Sequence, residues 1–218
     1  MQDNPLFSAN WALTSVVFLC LVIAAFFWSF ERRHASTKVI TLIATMAALA
    51  GVGRVPFAMI PGVQPTTFLV MITGYVFGSR AGFMVGALAA LVSNFFLGQG
   101  PWTPWQMFTW GMSGFTAALL AGKDKKFKRR SFIILAAFWG YLFGWIMNIW
   151  HWVGFIYPLT WETFLATYLA SFPFDTLHAV GNATFSLLFG KTFYNILERF
   201  RKKCSVTLSD LHSMDRSK

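Results

Sequence analysis

The residues best suited to chemistry gather in two stretches of this sequence. The first, Gly98-Gln-Gly-Pro-Trp-Thr-Pro-Trp-Gln106, combines two indoles, two amides, two prolines and two glycines. Stacking surface beside hydrogen-bonding amides, on backbone stiffened by proline, suits a planar organic ligand with polar edges. A lone Trp at a bilayer headgroup has a simpler role as an anchor; Gln99 and Gln106 beside Trp102 and Trp105 are what favour binding. The second stretch sets Ser171, Asp175, His178, Asn182 and Ser186 at spacings of 4, 3, 4 and 4. At about 100° per residue these form one narrow helical stripe. It is either a hydrogen-bond seam or a functional lining, with Asp175 and His178 close enough to act as acid and base. Asn148 and His151, three residues apart among Trp150, Trp152 and Tyr157, also share a helix face.

Most other chemistry lacks its residues. Gly190-Lys191-Thr192 has Phe185 where a phosphate-binding loop needs its first glycine, and no His-Glu-x-x-His, Cys-x-x-Cys or Gly-x-Ser-x-Gly occurs. The last apolar stretch holds no Lys before Lys191, which argues against a retinal Schiff base, and Asn182-Ala-Thr184 is a sequon inside an apolar run. Cys20 and Cys204 make no disulfide framework, and His34 and His212 read as solvated. Asp175 stands alone as an acidic group deep in an apolar stretch, thin for an ion-coupled pump. A stand-alone secondary carrier and a membrane enzyme using Asp175 and His178 are therefore the weaker alternatives.

The elements that must hold these residues follow from composition. The chain has 218 residues, 56% hydrophobic and 12% charged, against about 25% charged in a typical soluble domain. With about 20 residues per helical crossing, seven spans are expected, at about 10–30, 38–54, 66–79, 81–98, 105–122, 131–157 and 163–190. The short connections carry prolines, glycines or charge. Seven crossings put Arg32, Arg33, Lys38, Arg80, the six basic residues of 123–130 and the seven from Lys191 to Lys218 on one side, 17 of 18 in all, leaving Arg54 alone opposite. Cytoplasmic loops retain Lys and Arg, so the N-terminus is placed outside and the C-terminus inside. The net charge of +10 is thus an orientation signal, with anionic lipid as a further contact and nucleic acid disfavoured. The first span is preceded by Asp3 and followed by Glu31-Arg32-Arg33, the reverse of a cleaved signal, and reads as a retained anchor.

Small residues recur at helical spacing in Ala44-x-x-x-Ala48, Ala47-x-x-x-Gly51, Gly74-x-x-x-Gly78, Gly82-x-x-x-Gly86-x-x-x-Ala90 and Gly140-x-x-x-Gly144. Such motifs let helix backbones approach closely. The second span has more small surface than one internal contact needs, which points to a partner membrane protein.

Val63-Gln-Pro-Thr-Thr67, the Gly78–Ala87 turn and helix, Ser93–Gln106 and Phe172-Pro-Phe-Asp-Thr-Leu-His-Ala-Val-Gly-Asn182 together resemble the substrate-binding S component of energy-coupling factor (ECF) vitamin transporters, and within it the cobalamin-type branch. The resemblance implies an all-α integral membrane protein of a bacterial cytoplasmic membrane, with a six-helix core over 36–200, an extra N-terminal transmembrane helix in 1–35 and a cytoplasmic tail over 201–218. It implies no enzyme activity and no intrinsic cofactor or metal. Cobalamin or a related corrinoid is the expected substrate, with another vitamin or precursor as the alternative. A membrane coupling protein and two ATPase subunits are the expected partners, with Ala44 and Ala48 at the docking position. Loops 55–65 and 98–106 would cap the substrate. The candidate binding residues are Gln64, Thr66, Asn94, Gln99, Trp102, Trp105, Gln106, Asn148, His151, Trp152, Asp175 and His178.

Overall fold

A computed structural model describes residues 5–32, 36–122 and 126–215, with side chains over 13–32, 36–122 and 126–203. Seven α-helices follow one another: α1 Pro5–Glu31, α2 Thr37–Arg54, α3 Thr66–Phe77, α4 Ser79–Leu97, α5 Thr103–Ala121, α6 Arg129–Phe155 and α7 Trp161–Asp215. No strand occurs among the described residues. Six helices begin and end within a few residues of the expected spans. Residues 123–125 of the Lys123–Arg130 cluster and 216–218 of the tail lie outside the described residues.

α3 is buried on every side from Thr66 to Val76, which is why 12 apolar residues suffice and no amphipathic period is visible. It is packed by α2, α4, α5 and α7. Glycine permits the closest approach: a Cβ on Gly74 or Gly82 would overlap the carbonyl of Gly114, so α3, α4 and α5 meet nearly backbone to backbone. Gly140 in turn admits the Ala179 backbone where α6 crosses α7. Gly78, expected to share this packing, instead has φ +98° and open space where its Cβ would be. It makes the one-residue turn between α3 and α4, a conformation open to Gly and strained for other residues.

Among the described residues four helical stretches are long and apolar enough to cross a bilayer: Leu13–Glu31, Thr37–Phe57, Ser79–Leu97 and Arg129–Phe155. α3 is too short, and α5 and α7 are diluted by the Trp, Gln, Ser, Thr, Asp and His that make them interesting. α1 lies against α4, α5 and α6, with Phe26 stacked on Phe83 at 3.8 Å and Ser29 accepting from Arg80 Nε at 3.1 Å.

α7 departs most from expectation. It runs through Pro173 without a break, and it passes both 190 and 200 as helix. Pro173 has no N–H for the Leu169 carbonyl, yet the helix continues on both sides of it. Beyond Gly190 the helix still has a core face: Leu197 is buried, Phe193 packs on Phe68 and Tyr194 stacks on Phe127 at 4.9 Å.

Candidate functional site

The polar groups at the end of the bundle where α2 stops and α5 starts are joined into one network, and its hub is Asn94. This side chain is 2% exposed, so its amide has to find partners within the protein. Its Nδ2 donates to Thr103 Oγ1 at 3.0 Å and to Gln106 Oε1 at 2.8 Å. Its Oδ1 accepts from Arg54 Nη1 at 3.1 Å. Arg54 also donates from Nη1 to Ser93 Oγ at 3.0 Å and from Nε to Gln64 Oε1 at 2.8 Å. Thr103 Oγ1 donates to Gln99 Oε1 at 2.9 Å, and Gln99 Nε2 reaches back to the Leu91 carbonyl at 3.0 Å. One chain of bonds thereby ties loop 55–65, the last turn of α4, loop 98–106 and the first turn of α5.

A second branch goes inward. The guanidinium carbon of Arg54 stands 5.0 Å from the ring centre of Trp110, which is fully buried. Trp110 Nε1 donates to Thr67 Oγ1 at 3.0 Å, and that hydroxyl pairs with His178 Nε2 at the same distance. Trp110 can only donate, so the Thr67 hydroxyl accepts there, and the direction of its bond with His178 follows the tautomer of the ring. The His178 ring also meets Phe143 edge-on at 5.2 Å.

The third group lies between α6 and α7. Asn148 Nδ2 donates to Ser171 Oγ at 2.6 Å, and Ser171 donates to Asp175 Oδ2 at 2.9 Å. The Asp175 carboxylate fills the space that a side chain at Gly144 would need. Asn148, His151, Thr163, Ser171 and Phe174 line an open groove of about 460 Å³. His151 stacks on Phe155, and Trp152 Nε1 donates to Thr163 Oγ1 at 3.0 Å. Trp102 bridges the loop to this region, edge-on to Trp150 at 6.1 Å.

Of the expected residues, Gln64, Asn94, Gln99 and Gln106 come together around Arg54; His178 joins them through Thr67; Asn148, His151, Trp152 and Asp175 form the neighbouring group. Thr66 departs from the binding role. It is fully buried and bonds the Ala50 carbonyl at 3.0 Å, so it fastens α3 to α2, and its neighbour Thr67 is the one in the network. Asp175 and His178 have different partners, Ser171 and Thr67. The lower part of the α7 stripe faces inward: Asn182 donates to the Ala136 carbonyl at 3.1 Å, and Ser186 is buried. Loop 55–65 is held down by Gly62, at φ +73°, where a Cβ would press on the Phe174 carbonyl and the His178 amide. Arg54, Ser93, Thr67 and Trp110 were missed by pattern reading. Only Arg54 gave a signal, as the single basic residue left on its side.

Ala44 and Ala48 are exposed on α2, while Ala47, Ala50 and Gly51 on its other face are buried. A Cβ on Gly51 would overlap Val92 of α4. The small residues of α2 thus divide into an internal set, with Gly51 against α4, and an external set that is exposed. The external hydroxyls of Thr41 and Thr45 are satisfied by carbonyls of their own helix at 2.9 and 2.8 Å.

An all-helical bundle with long apolar helices, a polar network knotted under two loops at one end and an uncovered small-residue face is the architecture of a membrane subunit that handles a ligand and meets a partner. The chain belongs to the family described as ECF transporter, substrate-specific component, whose profile matches residues 38–199. It is 27% identical over 194 residues to UPF0397 proteins of two strains of Aliivibrio fischeri, covering 80% of this chain and 97% of theirs. A UPF0397 protein of Vibrio atlanticus is 32% identical over 75 residues, covering 32% of this chain and 41% of that one. No solved structure matches the chain at a significant level. Membership makes this a transport-specificity subunit that works with an energising ECF module. The family match begins at residue 38 and so leaves α1 outside it.

Proposed function

We propose that this chain spans a bacterial cytoplasmic membrane seven times with its N-terminus outside, captures a vitamin-class molecule at the outer end and delivers it inward by docking to a membrane coupling protein with two ATPases. The observation that carries the capture site is the Asn94 hub, which joins both capping loops through Arg54–Gln64 and Thr103–Gln99. A ligand inserted there would compete for these hydrogen bonds, of which Arg54–Gln64 has a charged donor. Orientation is supported by the 17 to 1 division of basic residues. Docking through Ala44 and Ala48 is supported by their exposure beside an internal face already satisfied by other small residues.

For the substrate, the amide and indole content of loop 98–106 favours a cobalamin-like corrinoid, whose many amide arms match Gln and Asn. A smaller vitamin or precursor is favoured by one observation: the groove between α6 and α7, which none of the hub residues lines, holds about 460 Å³, the size of an ordinary small-molecule pocket. Calorimetry of the detergent-purified chain against corrinoids and a vitamin panel separates the two. Binding of a corrinoid supports the first reading, and binding of a smaller vitamin alone supports the second. Uptake that proceeds without the ATPase subunits, depends on an ion gradient and is abolished by Asp175→Asn would overturn the ECF mechanism in favour of a stand-alone carrier.

A further inference from the structure

We propose that the captured molecule carries a negative charge, a carboxylate or a phosphate ester, and that Arg54 receives it. The proposal rests on the capture reading above and narrows its substrate class. A guanidinium has five N–H donors and a permanent charge. Arg54 uses three donors, to Gln64, Ser93 and Asn94, all of them neutral acceptors. The two donors on Nη2 have no partner among the described residues.

No carboxylate compensates the charge. Arg54 has no ion pair among the described residues, and the Arg201–Glu198 pair lies far along α7. Asp175 is bound by Ser171 and packed on Gly144. His178, the titratable group facing Arg54 from α7, is held through Nε2 by Thr67 and contributes no negative charge. The C-terminal end of α2 offers only the partial charge of its carbonyls, and the donors of Arg54 go elsewhere.

A cation half withdrawn from water among buried neutral groups, with Ser93 at 0% and Asn94 at 2% exposure, is costly when it has no counter-charge. A neutral amide at 54 would pin Gln64 to α4 without that cost. What arginine adds is the charge and a free pair of N–H groups, the combination that suits carboxylate and phosphate oxygens. A second unsatisfied donor lies in α5, in the turn that carries Gln106: Trp105 Nε1 is buried and has no partner.

The test uses the full chain in detergent and pairs of probes that differ in one anionic group: cobyric acid against its primary amide; pantothenate against panthenol; biotin against biotinamide; nicotinate against nicotinamide. Thermal shift finds the pair that binds, and calorimetry measures both members. The expected result is binding about 100-fold tighter for the anion-bearing member, as a charge-assisted bidentate contact supplies. Arg54→Gln should abolish that preference and Arg54→Lys keep part of it. Equal affinity for both members, or an unchanged Kd of the anion on Arg54→Gln, overturns the proposal while leaving vitamin capture intact. Should Arg54→Gln fail to fold, the wild-type comparison within the pair decides alone. Binding of no probe at all overturns capture of a vitamin and this proposal with it.

Discussion

Replacing Asn94 with Leu tests whether the hub holds the outer end together. Leucine has a similar volume, so the change deletes hydrogen bonds without opening a large cavity. Three bonds go: one from Arg54 Nη1 and two to Thr103 and Gln106. Their costs differ. Thr103 keeps Gln99 and the Gly100 amide, so its loss is at the low end, about 0.5 kcal/mol. Arg54 keeps Gln64 and Ser93 and has some access to water, about 1 kcal/mol below the isolated charged bond of roughly 1.5–3. Gln106 Oε1 is buried and has no other bond here, and stranding it costs about 1–3 kcal/mol. The sum is about 3 kcal/mol, or roughly 6–12 °C in the unfolding midpoint of a chain this size. Thermal unfolding of the purified chain in detergent, followed by intrinsic Trp fluorescence, reads it directly. Asn94→Asp keeps an acceptor for Arg54 and adds a counter-charge, so it should lose less. A fall under about 2 °C for Asn94→Leu, or a larger fall for Asn94→Asp than for Asn94→Leu, would refute the hub.

Three further outcomes follow from the same geometry. Ala44→Trp or Ala48→Trp, on an exposed face, should leave substrate Kd unchanged and abolish copurification with the coupling protein; undiminished copurification would assign that face to lipid. Trp102→Ala removes the edge contact with Trp150 and should raise Kd by about fivefold, as aromatic contacts of roughly 1 kcal/mol allow; an unaltered Kd would make Trp102 an interfacial anchor. Gly144→Ala drives a methyl into the Asp175 carboxylate and should cost about 1–3 kcal/mol as overpacking. Adding Asp175→Ala should return part of that loss, and additive costs measured by thermal unfolding would show that the two positions do not touch.

The helices were legible because apolar runs ended at residues that end helices: Gly78, Gly98 and Gly122 all take positive φ at the junctions. The end of α7 was not, because its continuation depends on Phe193, Tyr194 and Leu197 finding α3 and Phe127, contacts that local hydropathy does not report. At the site, residue types picked out Gln64, Asn94 and Gln106, since amides in an apolar chain need partners wherever they lie. They did not distinguish Thr66 from Thr67, adjacent in sequence and buried alike, whose hydroxyls serve different helices. Arg54 was visible only as an exception to the charge pattern, and reading it as the leftover of a topology count concealed that it binds two elements besides its own. Trp110 carried no signal, because a fully buried Trp is ordinary core until the partner of its Nε1 is known.

One helix joins the two ends of the mechanism. α2 carries Ala44 and Ala48 on its open face and closes with Arg54, ten residues and about 15 Å further along its axis. Between them Gly51 locks onto Val92, one residue before Ser93 and two before Asn94, so α2 and the outer turns of α4 form a single stiff piece. A stiff piece does not pass a signal by bending; coupling requires an element with two arrangements. Loop 55–65 has the attachments for that. It leaves α2 directly after Arg54, is tied back to it by Gln64, and rests on α7 through Gly62 at the carbonyl of Phe174, next to Pro173. A ligand competing for Arg54, as proposed above, would compete with the Gln64 tie, and the element set to respond would be loop 55–65 with its rest on α7, not the open face of α2. On the proposed reading capture and docking are separable: substitutions at Ala44 and Ala48 should act on assembly alone, and those at Arg54, Gln64 and Asn94 on binding.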